Sequence, residues 1–344
     1  MNRRDTAIKV ASALSSIFGA SVISFVFLRL APTNPARLVL GRFATRDAID
    51  KFVATTGLDR PVWEQYLRYI GSFVRGDWGF SYSAGLPVKT LILGRLPASL
   101  ELGITAFVIT IVSAVTLAIL VTYRRRPILD GSVQSFTLIG IGVPEFWLGI
   151  VLLLVFSEYL GLFPLPEGRL SPGMLVPPSV TGLYLVDSAL HLDLGALLDA
   201  AWHLFLPAVT LSLFSFCYLT RLLRANLIEL SSQPFIVVAQ GFGESRWQAF
   251  WRHALPNALG PTLTASGMVL GQMIAGAVIV ESVFQWPGIG QLVTKGIQDQ
   301  DYSVVQGFIL LTACLYVGIN LIVDMIVLRL DPRSLRWQAG GAGG

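Results

Sequence analysis

Six apolar runs, each about the twenty residues that a helix needs to cross a bilayer, constrain this chain more than any other feature. They fall at about 10–28, 98–121, 132–156, 203–222, 259–280 and 303–328. Composition agrees: 53% of the residues are hydrophobic, only 13% are charged, and mean hydropathy is +0.66. A soluble domain carries about 25% charged residues. A chain with so little charge cannot hide its apolar surface in one aqueous core, so the expectation is an all-α, polytopic membrane protein with six transmembrane helices.

The stretches between the runs set the order of parts. Arg3, Arg4 and Lys9 precede the first run. A cleaved signal peptide competes with a spanning helix there, but FLRLAPTNP follows in place of a small-x-small cleavage site. Residues 31–97 form the longest polar segment. In it Ile49, Phe52 and Val53, then Val62, Tyr66, Tyr69 and Phe73, recur at helical spacing and predict short amphipathic helices on the membrane surface. Arg124, Arg125 and Arg126 close the second run, and Pro144 lies near the middle of the third. Residues 160–202 are rich in Pro and Gly. A short re-entry, ESVFQWPGIGQLVTKGIQDQDY, precedes the sixth run, and the tail QAGGAGG is expected to be disordered.

Charge sets an expected orientation. With the N-terminus cytoplasmic, the inside segments 1–9, 123–131, 221–257 and 328–344 hold thirteen Lys/Arg against five Asp/Glu. The outside segments 158–202 and 282–302 hold two against seven, as the positive-inside rule asks. The outside segment 31–98 holds nine against five, but segments longer than about 60 residues translocate largely regardless of charge. Both termini are therefore expected in the cytoplasm.

One inside stretch stands apart. FIVVAQGFGESRWQAFWRHALP, residues 235–256, is too polar and too Gly-interrupted to span. Its first half is small and apolar. In its second half Trp247, Phe250 and Trp251 alternate with Ser245, Arg246, Gln248 and Arg252, and Pro256 opens the next apolar run. The pattern predicts a short helix, a bend permitted by Gly241 and Gly243, and a second helix, all lying on one membrane face.

This stretch resembles the coupling loop of binding-protein-dependent ABC transporter permeases. The family pattern is Glu-Ala-Ala, three residues, Gly, nine residues, then Ile-x-Leu-Pro. Val237, Val238 and Ala239 take the first place, Gly243 the second, and His253, Ala254, Leu255 and Pro256 the third. The spacing is kept. The family Glu is replaced by Val237, its Ile by His253, and Gln240, Gly241 and Phe242 stand where peptide permeases carry basic residues. The flanks RLLRANLIELSSQPF and NALGPTLTASG are similar to the peptide-permease subgroup. So are Ala31, Pro32, Asn34 and Pro35; Gly57, Leu58, Asp59 and Pro61; Gln65 and Tyr66; Gly76, Asp77, Gly79 and Ser81; and Arg95, Leu96 and Pro97. The resemblance covers nearly the whole chain.

No catalytic set accompanies it. His191, His203 and His253 stand in separate segments, and no HExxH, GxSxG or GxxxxGK[ST] occurs. The chain is therefore expected to be a transport subunit without its own ATPase site. Cys217 and Cys314 sit in apolar runs without metal or disulfide spacing and read as small hydrophobes. No basic-aromatic patch points to nucleic acid. Of four acids in or at spans, Glu101, Glu281 and Asp324 lie near span ends and suit anchoring roles. Glu145 follows Pro144 at mid-span, where an acid counts as a functional candidate and a polar cluster is expected to face protein or a cavity. Pro287, Gly288 and Gly290 predict a rigid turn near the outer face.

The resemblance implies a type I ABC importer permease fold. Residues 1–97 would form an N-terminal helix and extracytoplasmic segment, 98–332 a core with coupling loop 235–256, and 333–344 a tail. It implies a bacterial-type plasma (inner) membrane protein that forms half of a pathway for di- or oligopeptides. Its partners would be a second homologous permease, two ATPase subunits that bind ATP and Mg, an extracytoplasmic peptide-binding protein and the lipid bilayer. The implied ATPase-coupling residues are Val237, Val238, Ala239, Gly241, Gly243, Glu244, Ser245, Arg246 and Pro256, with Pro144 and Glu145 as pathway candidates. No cofactor and no metal is expected in the chain. Rival readings are the same machinery for nickel complexes or glycosides, a secondary transporter, which would call for internal repeats or broken helices with convergent charges, and an integral-membrane enzyme.

Overall fold

A computed structural model describes residues 3–30, 45–57, 59–124 and 126–330. Ala31, Pro32, Asn34 and Pro35, Leu58, Arg125 and the tail 333–344 lie outside the described residues, as does the side chain of Asp324.

The described residues are mostly helical. Helix α1 spans Arg3–Leu30, α2 Arg46–Thr56 and α3 Val62–Val74. A two-residue antiparallel pair, Phe80–Ser81 with Leu86–Pro87, leads into the long α4, Val88–Arg124. Then come α5, Pro127–Gly142, and α6, Glu145–Leu152, which widens into a π-helical stretch at Leu153–Tyr159. After an irregular segment, α7 spans Tyr184–Leu190 and α8 Leu194–Ser231. The remaining helices are α9 Pro234–Gly241, α10 Arg246–Ala249, α11 Leu255–Gly276, α12 Val278–Val283, α13 Ile289–Gln298 and α14 Tyr302–Leu330.

Among the described residues four helical stretches are long and apolar enough to cross a membrane: Val88–Arg124, Leu194–Ser231, Arg246–Val283 and Tyr302–Val323. The pair α5 and α6 makes a fifth if it is one span, and Ala11–Val26 of α1 is a shorter apolar stretch. The expected count of six is thus met only when the bent pair and this shorter stretch are added. The third run is not the single kinked span expected: its halves are bent by 104° at Val143 and Pro144. Proline removes a donor, and the residue before it is pushed out of the α region, here to φ −80°, ψ 121° at Val143.

The bundle is centred on α4 and α8. Ala98, Leu102, Ala106 and Ala114 of α4 pack with Leu204, Ala208, Leu211 and Leu219 of α8 and with Ala265, Val269 and Met273 of α11. Small residues let backbones approach where lipid supplies no hydrophobic drive for helix association. Cys217 is one such close point, buried where a Cβ on Gly140 of α5 would stand 2.5 Å from its Sγ. The amphipathic helix at 62–74 forms as its periodicity predicts. Its inner face meets α1: Tyr69 stacks on Phe25 at 5.8 Å between centroids, and the Tyr66 and Ser21 hydroxyls are 2.6 Å apart.

Buried carboxylates fasten one end of the bundle. Glu281 accepts from Ser99 Oγ at 2.5 Å and from the amides of Gly290 and Gln291 at 2.7 and 3.0 Å, capping the start of α13. A side chain on Gly288 would run into that carboxylate, which is why WPGIG carries glycine there. Glu101 pairs with Arg169 at 2.5 Å and accepts from Leu185 N–H at 2.7 Å, and the Arg169 guanidinium lies 3.4 Å from the Tyr184 ring centroid. Asp301 accepts from Ser81 and Ser83 hydroxyls at 2.7 and 2.9 Å, tying the small hairpin to α14.

Candidate functional site: the coupling stretch

The stretch at 235–256 folds as two short helical arms about a bend, at the end of the bundle where α4 and α8 terminate. Pro234 starts α9, where its fixed φ suits a first turn and its missing N–H costs nothing. Ile236 turns inward onto Leu223, Leu227, Ala249, Phe250, Ala254 and Leu255. That packing fixes the opposite face outward: Val237 and Val238 are 64% and 55% exposed.

The bend is a defined cap. Gly243 takes φ +94°, its amide donates to Gln240 O at 3.0 Å, and the Glu244 amide donates to Ala239 O at 3.2 Å. This is the helix-ending motif that asks for a left-handed residue, and a Cβ at Gly243 would meet open space, so backbone conformation alone requires glycine there. Gly241 closes α9 with ordinary dihedrals, so the bend rests on one glycine and not on two. The second arm starts at once. Ser245 Oγ accepts from Gln248 N–H at 3.2 Å while Gln248 Oε1 accepts from Ser245 N–H at 2.9 Å, a reciprocal capping box.

Beyond α10 the helix does not stop. A π-helical turn at Phe250–Ala254 carries it into α11, and Arg246–Val283 runs on as one stretch. Leu255 N–H reaches back to Phe250 O. The wider turn relieves the crowding that Pro256 would impose on the carbonyl four residues earlier, so Pro256 sits inside a continuous helix where the sequence suggested a boundary.

Side chains lock the arms to the bundle. Arg246 Nη2 donates to Tyr123 O at 2.9 Å, with its guanidinium 5.4 Å from the Tyr123 ring centroid. Trp247 and Phe250 meet the same ring edge-on at 5.0 and 5.7 Å. Across the bend Glu244 accepts from His253 and stands 3.6 Å from Arg252. Phe242, at the tip, is 88% exposed, the most exposed large apolar side chain among the described residues.

Three of these features were missed from sequence: Tyr123 as the anchor, Phe242 as the tip, and the Glu244–His253 contact. The GFG triplet signals a lone aromatic held out by flexible neighbours. Nothing local points to Tyr123, which lies over a hundred positions away in the chain.

The other candidate residues lie apart. Pro144 is the N-cap of α6 and Glu145 its first residue. Glu145 is half-buried and makes no hydrogen bond or ion pair among the described residues. The helix it begins packs tightly: a Cβ on Gly149 would sit 3.1 Å from Phe284 and 3.2 Å from Val283. Among the described residues no group of three or more His, Cys, Asp or Glu could hold a metal ion.

A bundle of helices long and apolar enough to cross a membrane carries this interrupted hairpin at one end. Sequence comparison gives the family. The model described as binding-protein-dependent transport system inner membrane component matches residues 114–336, and that of its N-terminal region matches 6–103. The chain belongs to this family of membrane permeases. It is 36% identical over 317 residues to the probable D,D-dipeptide transport system permease protein of Escherichia coli (strain K12), covering 92% of this chain and 93% of the relative. It is 32% identical to the dipeptide transport system permease protein of the same strain, covering 93% and 95%. The di/tripeptide transport system permease protein of Pseudomonas aeruginosa (strain UCBPP-PA14) is 33% identical, with 93% and 95% covered.

Proposed function

We propose that this chain is the membrane permease of an ATP-driven importer of di- and oligopeptides, that it forms half of the pathway, and that it couples to ATPase subunits through residues 235–256. The peptide cargo rests on the relatives, whose names specify dipeptides, D,D-dipeptides and di/tripeptides. The coupling role rests on one observation above all: a rigidly capped bend presents Val237, Val238 and Phe242 to solvent while its inner face is packed into the bundle. Partners are a second, homologous permease, two ATPase subunits that hold ATP and Mg, and an extracytoplasmic peptide-binding protein. The coupling end faces the cytoplasm with both termini. Residues 1–97 act as the N-terminal helix and extracytoplasmic segment, 98–332 as the core, and 333–344 as a tail.

The mechanism follows from connectivity. The first arm is joined to α8 by two residues, and the second is continuous with α11. Movement of a docked ATPase therefore reaches two core helices as rigid-body motion. Nucleotide biases an equilibrium between outward and inward access to the extent that the ATPase dimer favours one hairpin position. The chain lacks a phosphate-binding loop, so hydrolysis belongs to the partners.

The test is the docking surface. Fully burying a Phe side chain is worth about 1.5–3 kcal/mol, so Phe242→Ser should weaken ATPase affinity roughly tenfold to a hundredfold. Gly243→Leu should add about 1–2 kcal/mol of backbone strain at the same bend. Both variants should lose peptide uptake while the binding protein still captures cargo. ATPase affinity and uptake unchanged in both would refute the assignment.

A further inference from the structure

Among the described residues nothing fills the groove between α5 and α8, and its chemistry is graded. It holds about 580 Å³ and is lined by Gln134, Leu138 and Ile141 from α5 and by Tyr218, Arg221, Leu222 and Arg224 from α8, among others. The two helices run in opposite directions. Gln134 and Arg224 therefore lie toward the end where the coupling stretch projects. Ile141 and Tyr218 lie deeper, Ile141 about 10 Å further along α5 than Gln134 at 1.5 Å per residue. The mouth is polar and cationic, and the floor is apolar.

The charges at the mouth do not cancel. Asp130 is fully engaged: Arg224 Nε and Nη2 donate to its two oxygens at 2.6 Å each, and Gln134 Nε2 donates at 2.9 Å. That leaves Arg221 in the groove wall, exposed and with no hydrogen bond or ion pair among the described residues. Arg124 and Arg126, exposed at the same end of the bundle, are likewise unpaired among the described residues. Leu138 is 63% and Ile139 66% exposed, so the groove is open sideways to its surroundings.

We infer that this groove is a site for an anionic phospholipid, with the phosphate on Arg221 and an acyl chain along Leu138 and Ile141. The ligand needs negative charge at one end and a hydrocarbon at the other, in register with the depth gradient. Basic pockets between membrane helices on the leaflet side suit such headgroups, and a guanidinium matches phosphate in geometry as well as charge. An apolar helix from a second permease would fill the floor but bring no counter-charge to Arg221. A short peptide would bring a carboxylate but no hydrocarbon for the floor. The site is defined by basic groups at one end of the bundle and by retained lipid, not by cargo, so it stands or falls separately from the peptide assignment.

The experiment uses the whole transporter complex in nanodiscs of phosphatidylglycerol and phosphatidylcholine, with retained lipid counted by native mass spectrometry. Wild type should retain phosphatidylglycerol selectively. Arg221→Gln should retain about fivefold less, the loss expected for one basic group at a lipid surface, and Arg221→Lys should restore most of it. Leu138→Trp, which fills the floor and keeps the charge, should also lose it. Excess inorganic phosphate should not displace it. Equal retention in wild type, Arg221→Gln and Leu138→Trp would overturn the site. Displacement by inorganic phosphate would reduce it to a simple anion contact and overturn the lipid. Efficient crosslinking from Leu138→Cys to the partner permease in the assembled complex would show the groove to be filled by protein and overturn it as well.

Discussion

Glu244 and His253 meet across the bend of the 235–256 hairpin, Oε2 to Nε2 at 3.0 Å. The pair spans nine positions and joins the residue after Gly243 to the π-helical turn before Pro256. His253 stands where the family pattern has an apolar residue, and Val237 where it has an acid. The hairpin thus carries its own carboxylate contact between its arms, and its outward face is left apolar.

A partly exposed pair of this kind contributes about 0–1 kcal/mol, so Glu244→Ala should leave the fold intact and loosen the bend alone. Hydrogen exchange at the amides of residues 242–248 should quicken severalfold, while exchange in α8 and α11 stays as in wild type. Unchanged exchange at the bend would show that the cap and the capping box hold it without the pair.

Glu281 is a stability prediction. It is fully buried and receives three donors, two of them the amides that start α13. Glu281→Ala strands those donors, and each unsatisfied buried polar group costs about 1–3 kcal/mol. Purified protein should melt well below wild type, and α13 should exchange faster. Glu281→Gln keeps an acceptor oxygen for the two amides at the Oε2 position but turns an NH2 toward the Ser99 hydroxyl that now donates to Oε1, so it should fall between the two. A melting temperature for Glu281→Ala equal to wild type would remove the anchoring role.

These residues also show what the sequence made legible. The all-helical, membrane-spanning class was readable because apolar length is read directly by the bilayer, the exact number of spans was not, and the amphipathic period at Tyr66, Tyr69 and Phe73 foretold α3. Span ends were not readable. The helices Val88–Arg124 and Leu194–Ser231 run on past the apolar runs as amphipathic and polar turns. Prolines misled in both directions. Pro144 breaks its span outright. Pro97 and Pro256, each at the edge of an expected run, sit inside continuous helices, because neighbouring helices or a π turn absorb the lost bond. Contacts between distant positions, Tyr123 with Arg246 or Glu101 with Arg169, leave no periodic trace and needed the fold.

Asp187 gives a pH prediction. Burial alone would raise its carboxyl. The hydrogen bonds from Thr181 N–H and Oγ1 at 2.8 Å each and from Gly182 N–H at 2.9 Å outweigh that and hold it below the usual carboxylate range. A depressed acid contributes stability above its unfolded value, about 3.9 for Asp, and loses it as pH falls through the folded value. Wild-type protein should therefore lose protection from proteolysis at residues 180–190 between neutral and strongly acidic pH. Asp187→Asn should start lower and show a flatter acid dependence. Parallel pH profiles for the two would rule out the carboxylate as the cause.

Glu145 carries the cargo prediction. It begins α6 directly after the 104° break, half-buried, with no polar partner among the described residues. An acid at the centre of a lipid-facing helix costs about 3 kcal/mol on insertion scales, which favours a place against protein or water. The start of a helix is also where a negative charge is best tolerated. Placed on the pathway or at the permease–permease interface, this carboxylate meets the ammonium end of a peptide as a weak, releasable partner. Glu145→Gln keeps shape and removes charge. Uptake of a free dipeptide should drop about tenfold, the effect of losing about 1.4 kcal/mol from a charge-assisted hydrogen bond, while an N-acetylated dipeptide is taken up as by wild type. Equal losses for both peptides would assign Glu145 to packing or gating. Labelling of Glu145→Cys from the lipid phase, with no access from water, would exclude both pathway and interface.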